Sequence, residues 1–488
     1  MRAFRLALLV LLAPLHLSGC LYHILPNRGG GLADFEPPRL IRAQDVALLP
    51  GYQISPVATG LTFPTGITFD DAGRPYVVEA GYSYGEVTTT PRLLRVEDGG
   101  ALSEIARGDN PPWNGVAYRD GAFFIAGGHA GSGQLLRVSM SGAVTTLVDA
   151  LPSLGDHHTN GPVVGEDGWI YFGQGTATNS GVVGLDNAEF GWLRTNPDFH
   201  DTPCRDIRLT GENFSTRNPL TPDPGDQTVT GAFVAFGTRT SAGQIVPGNT
   251  RCNGAVMRVR PDGSGLEVVA WGFRNPFGLA FSPDGRLFAT DNQFDVRGSR
   301  PVFGTGDLLW EVRPGSWYGW PDYFAGRPLN DHRFGAPGEP RPRMLLLDHP
   351  NTPPRPTAIL PVHASSNGLD FSRNPAFGHV GDAFVAEFGD MSPGVGKILG
   401  AVGFQVVRVD VRDGTVHEFA VNRGKGNAPA SRLKSGGLER PVAVRFDPSG
   451  TALWVVDFGV MTLTNGRTEP RPGTGVIWKI TRAIGGNP

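Results

Sequence analysis

Residues 274–293 read RNPFGLAFSPDGRLFATDNQ. Two short apolar runs, 277–281 and 287–290, flank a Ser-Pro-Asp-Gly turn, and Asp-Gly between apolar runs is a strong signal for an antiparallel hairpin. The same arrangement recurs along the chain. It reads FPTGITFDDAGRPYVVEAG over 63–81, WNGVAYRDGAFFIAGGH over 113–129 and HTNGPVVGEDGWIYFGQG over 158–175. It returns as SNGLDFSRNPAFGHVGDAFVAEFGD over 366–390 and RPVAVRFDPSGTALWVVDFG over 440–459. After most copies a further strand pair follows, such as QLLRVSM from 134 and AVTTLV from 143. Each unit is therefore about four strands, and six such units predict an all-β, six-bladed β-propeller interrupted by long loop insertions.

Composition agrees with this architecture. The 488 residues include 69 Gly and 42 Pro with 18% charged residues, which suits turns and short strands better than long amphipathic helices. A formal net charge of −3 with no basic block argues against nucleic acid as a partner.

The N-terminus reads as an address. Arg2 and Arg5 precede the apolar run 6–12, and Leu17-Ser18-Gly19-Cys20 resembles the lipobox of bacterial lipoproteins. The expectation is a signal peptide over 1–19, acylation of Cys20, a Pro- and Gly-rich tether over 20–45 and the propeller over 46–488. A plain secretory signal is the alternative. Either way the protein is expected in the cell envelope, facing the periplasm, and in the lipidated case held to the membrane through Cys20. Cys204 and Cys252 then remain as an even pair in an oxidising compartment, where a disulfide is expected and two free buried thiols are the alternative.

The insertion 299–360 carries Trp310, Trp317, Tyr318, Trp320 and Tyr323. Such rings either cover a pocket, where they suit the apolar faces of sugars, or pack their loops down. In a propeller, residues bordering the inner strands gather at one mouth of the central channel. The repeat nominates Asn114, His157 to Asn160, Arg274 with Asn275, Ser365 to Asn367, and Arg440 before the first strands. After the second strands it nominates Glu79, His129, Gln174, Asp291 to Gln293, Glu387, Asp390 and Asp457. Polar groups gathered at one end of a rigid scaffold are what a ligand site needs.

Two of these stretches, GDHHTNG at 155–161 and GFRNPFG at 272–278, together with GSWYGWPDY at 315–323, resemble the glucose/sorbosone dehydrogenase family, and its sorbosone-type branch more than the soluble quinoprotein glucose dehydrogenases. The resemblance implies oxidation of an aldose or sorbosone-like sugar by hydride transfer to pyrroloquinoline quinone (PQQ), with an electron acceptor of the envelope as the onward partner. It implies His157 as the base, with Asp156 orienting it or raising its pKa and also set among the cofactor-binding residues, although His158 is a rival for the role of base. Arg274 would stabilise charge developing on the quinone, and Asn275, Asn292 and Lys397 would help hold it. Calcium would sit at Gln293, Phe294 and Asp295, where the family's Gly-Pro pair is replaced and Asp295 adds an oxygen.

Two other readings come from different classes. A metal-dependent, lactonase-type hydrolase would draw His129, His157 or His158, and His363 around a metal with Glu79 or Glu387. A non-catalytic propeller would use the same mouth to hold a glycan or another envelope protein.

Overall fold

The computed structural model describes residues 35–84, 87–128, 132–189, 191–391, 401–424, 426–464 and 467–483. The leader, Cys20, His129 and Lys397 lie outside the described residues.

Each hairpin of the repeat forms the inner half of one antiparallel sheet of four or five strands, and there are six such blades. In blade four, Pro276–Phe281 pairs with Leu287–Asp291, followed by Gly306–Glu311 and Ala358–Val362. The innermost strands of blades one to six are Pro64–Phe69, Trp113–Arg119, Thr159–Val164, Pro276–Phe281, Ser366–Phe371 and Pro441–Phe446. Each touches the next, and the sixth returns to the first, so the ring is closed. Second strands are covered on both faces by adjoining blades, which is why they read as nearly unbroken apolar runs. Leu287–Asp291 and Ala452–Asp457 are buried at every position, whereas an outermost strand such as Val144–Leu151 is mostly exposed.

Closure uses a strand that the repeat does not reveal. Tyr52–Leu61 pairs along its length with Gly475–Arg482, so blade six takes its outer strand from the beginning of the domain and the other three from its end. Val46–Leu48 adds a fifth strand to blade five beside Thr415–Asn422. The segment expected as a tether also reaches the propeller. Arg39 donates to the Asp457 carboxylate and to the carbonyls of Thr474 and Gly437, so the described end of that segment is packed against blade six.

At the axis the third residue of every inner strand is small: Gly66, Gly115, Gly161, Gly278, Gly368 and Ala443. The reason is space. A Cβ on Gly115 would lie 2.1 Å from the carbonyl oxygen of Gly161, and one on Gly66 would lie 2.8 Å from Cα of Gly115.

The insertion after blade three's second strand carries two short helices, Leu185–Glu189 and Trp192–Thr195, and is stapled to the start of the third strand by the Cys204–Cys252 disulfide. The aromatic residues of the 299–360 insertion pack inward. Trp310, Trp317, Tyr318 and Trp320 are buried in one apolar cluster with Phe233 and Phe273, with Tyr323 against its edge. They hold the insertions onto blades three and four and do not border the mouth, so the alternative in which they pack their loops down is the observed one.

Gly115→Ala is expected to destabilise the fold by about 2–5 kcal/mol, from left-handed backbone strain and a forced separation of blades two and three. Urea unfolding of the variant beside wild type measures this.

Candidate active site

The residue preceding each axial position faces one mouth of the channel. Thr65, Asn114, Asn160, Phe277, Asn367 and Val442 form a ring at the floor of a cavity of ≈ 660 Å³, counting the space open to solvent. Residues just past the second strands supply part of the wall: Ala80, Asn292, Phe388 and Phe458. Tyr82, Tyr84, His157, His158, Met391 and Met461 complete much of the rest.

This placement corrects the sequence expectation by one residue. The acids at the ends of the second strands turn away from the mouth, because neighbouring side chains on a strand point to opposite faces. Asp291 accepts from the backbone N–H groups of Arg274 and Asn275 and from the Trp310 indole. Asp457 repeats the device in blade six, accepting from the N–H groups of Glu439 and Arg440 and from the Trp478 indole. Glu79 accepts from Thr62 N–H and pairs with Arg92. These carboxylates fasten strand ends, and the residues after them line the cavity. Phe388 and Phe458 were legible only by following that alternation one position further.

Four asparagines form a relay around the mouth. Asn114 donates to Asn160 at 3.3 Å, Asn160 to Asn275 at 2.8 Å, Asn275 to Asn292 at 2.9 Å, and Asn292 to the Ser366 carbonyl at 2.9 Å. The chain of amides runs from blade two to blade five, each orienting the next.

His157 stands beside this relay. Its Nδ1 lies 2.9 Å from the Thr176 carbonyl, an acceptor only, so Nδ1 carries the proton and Nε2 is the lone-pair nitrogen. Among the described residues Nε2 makes no hydrogen bond and is open to the cavity. Burial, and then the positive charges of Arg274 and Arg297, push the imidazole well below its usual pKa of 6.5. His158 also donates through Nδ1, to the Ser153 carbonyl at 2.9 Å, but its Nε2 is enclosed and its ring meets the edge of Tyr82. Of the two imidazoles, His157 is therefore the one whose Nε2 lone pair is not enclosed.

Asp156 does not orient His157, contrary to expectation. Its carboxylate pairs with Arg297 at 2.6 Å, while Thr176 positions the imidazole. Arg274 is likewise drawn into the protein. It donates to the Asn179 carbonyl and side chain, to the Asn292 carbonyl at 3.2 Å and to Asp295 at 2.8 Å, and it is absent from the cavity wall. Its effect on the site is through its field and through the Asn292 backbone.

Asp295 is the centre of this charged layer. It meets Arg274, Arg297 at 3.0 Å and His363 at 2.9 Å. Burial alone would raise its carboxyl, but these three groups together hold it well below the usual carboxylate range. That saturation decides the calcium expectation. The Phe294 carbonyl accepts from Thr305, the Gln293 amide donates to Asp291, and Asp295 already faces two guanidinium groups. Residues 293–295 therefore do not form a cradle for a divalent cation. The hydrolase grouping fails on similar grounds. Glu79 is held by Arg92 and His363 by Asp295, and no three or more His, Cys, Asp or Glu side chains among the described residues are placed to hold a metal.

Asp295→Ala is expected to cost about 3–5 kcal/mol, because it leaves the buried Arg274 without its carboxylate and takes one of three from the half-buried Arg297. It should also lower the His157 pKa further, since the field left behind is more positive. Chemical denaturation and imidazole NMR titration measure the two effects.

No protein-family model matches the chain, and no curated relative does. Solved structures match along nearly its whole length. An oxidoreductase from Thermus thermophilus, described as a glucose dehydrogenase, superposes with a TM-score of 0.51 at 18% identity, covering 88% of this chain and 100% of its own. The holo form of the PQQ domain of a pyranose dehydrogenase from Coprinopsis cinerea gives 0.54 at 15% identity, covering 92% and 98%. A carbohydrate-active enzyme from Trichoderma reesei, in a calcium structure, gives 0.53 at 15%, covering 91% and 98%. These likenesses establish the architecture, and they do not single out a sorbosone branch. By fold, the chain is a six-bladed β-propeller similar to those of these three proteins.

Proposed function

We propose that the protein is a quinone-dependent sugar dehydrogenase whose reaction takes place in the cavity above the asparagine relay. The observation that carries this reading is the setting of His157 on the cavity wall, with Nδ1 on the Thr176 carbonyl at 2.9 Å and Nε2 left without a protein partner among the described residues, while burial and the nearby arginines favour the neutral imidazole. Oxidising a sugar hydroxyl removes a hydride from carbon and a proton from oxygen. His157 Nε2 takes the proton, and its depressed pKa keeps it ready to do so throughout the neutral range.

The lining fits PQQ. No carboxylate borders the cavity among the described residues, aromatic and thioether groups offer flat apolar contact, and the amides offer directed donors and acceptors. Arg274 and Arg297 lie behind the wall near enough for their charge to act on His157, although Asp295 opposes them there. Asn275 and Asn292 would hold the polar edge of the ring system, with Phe388 and Phe458 against its apolar surface. When bound, the quinone supplies the two-electron acceptor for the hydride. Asn114, Asn160 and Asn367 are left to orient sugar hydroxyls.

Export and anchoring complete the reading. The leader and the Leu-Ser-Gly-Cys motif support a lipoprotein held at Cys20 and facing the periplasm, passing electrons to an acceptor of the envelope. No helix among the described residues is long and apolar enough to cross a membrane.

His157→Ala is expected to lower kcat/KM for an aldose by at least about 10²-fold, with PQQ affinity changed only a few-fold; absorbance titration and steady-state kinetics measure both. His158→Ala should retain most activity. Because the folded pKa of His157 lies below 6.5, kcat/KM should stay level from pH 8 down through 6.5 and fall only at lower pH, as the base becomes protonated. Failure of the full-length protein to take up PQQ at micromolar concentration would overturn the reading.

A further inference from the structure

Blade five contains a buried polar group that neither the proposed reaction nor the fastening of strand ends uses. Ser366, Glu387 and Gln405 occupy the same rung of three adjacent strands: Ser366 is opposite Glu387, and Glu387 is opposite Gln405. Their side chains therefore share one face at neighbouring positions. Ser366 and Glu387 are fully buried and Gln405 is 6% exposed. Gln405 Nε2 donates to Glu387 Oε2 at 2.7 Å. Glu387 Oε1 and Gln405 Oε1 have no hydrogen-bond partner among the described residues, and Ser366 Oγ, which meets none at good geometry, lies close enough to the Asp307 carboxylate to act on it.

Blade one provides an internal control. Glu79 stands at the same place in its repeat and faces Arg92 across the same rung. There one carboxylate oxygen accepts from Thr62 N–H at 2.7 Å and the other pairs with Arg92 at 2.6 Å. In blade five the arginine is replaced by the neutral Gln405. The N–H that matches Thr62 in register, that of Ala364, instead donates to the Pro361 carbonyl at 3.2 Å, and that of Ser366 donates to Asp307 of blade four at 2.7 Å. Glu387 therefore keeps the carboxylate of blade one without its cation, and Asp307 adds a second negative group nearby.

We propose that Ser366, Glu387 and Gln405 form a cation site that takes a hard divalent ion of the calcium class. The donor set is a carboxylate oxygen, an amide oxygen and a hydroxyl, which is the chemistry such an ion selects. An ion there replaces the guanidinium of blade one and satisfies three acceptors that Gln405 alone leaves open. The site is distinct from residues 293–295, where Asp295 is saturated by arginine. It also lies directly behind the cavity wall, since Ser365, Asn367 and Phe388 flank its ligands in sequence and border the cavity. The inference does not depend on the proposed dehydrogenase reaction.

The test uses the full-length protein, stripped with chelator and free of quinone, titrated with calcium alone and followed by calorimetry and thermal unfolding. Wild type is expected to bind calcium and to unfold at a higher temperature with it, with magnesium acting more weakly. Glu387→Gln should weaken calcium binding at least ten-fold. Gln405→Arg, which rebuilds the pair of blade one, should abolish the calcium response while retaining the circular dichroism of the loaded wild type. A wild-type protein indifferent to calcium would overturn the site, leaving a buried water or a neutral carboxylic acid in its place. An undiminished response in Glu387→Gln would overturn it equally, and it decides the matter if Gln405→Arg does not fold.

Discussion

The convergence of six backbones on one axis is the constraint from which the other features follow. Inner strands approach so closely that the third residue of five of them is glycine and that of the sixth is alanine. With that register set, strand alternation dictates the neighbours on either side. The preceding residue looks into the mouth, and the acids ending the second strands look into the blades. One geometric requirement at the axis thus aligns six side chains, three of them asparagine, into a ring.

Above that ring lies a charged layer in which the protein neutralises nearly everything it buries. Asp295 holds two arginines and a histidine, and Asp156 and Asp186 share Arg297. Burying several charges is unfavourable unless each finds partners, and here each does. The outcome at the cavity is indirect. Arg274 touches no ligand space, but its charge helps keep His157 neutral, and its bond to the Asn292 carbonyl steadies one member of the amide relay. Blade five departs from this pattern, because its buried carboxyl is pushed up to about 8 by burial with only an amide for company.

The repeat motif and the two histidine- and arginine-bearing stretches were legible because they depend on local grammar: turn residues between short apolar runs, recurring along the chain. His157, Asn160, Asn275 and Asn292 were correctly nominated as residues that meet at one mouth, since each sits next to an inner strand. The roles of Asp156 and Arg274 were not legible. Both are decided by Arg297, Asn179 and Asp295, which come from insertions that carry no repeat signal. Tyr82 and Tyr84, which line the cavity, lie after the blade-one hairpin with nothing in their spacing to mark them.

By itself the sequence determined the number of blades, the hairpin at the heart of each and the mouth at which polar residues gather, because periodicity and turn chemistry act over a few residues. Only the tertiary structure decided which strand closes the ring, which side of each strand end faces the cavity and which carboxylate claims which arginine. Those outcomes turn on pairings such as Tyr52–Leu61 with Gly475–Arg482, and Arg274 with Asp295, in which the partners are brought together by the closing of the ring and the folding of its insertions. A long-range contact leaves no periodic trace in the chain, and its energy depends on what burial has already removed from water.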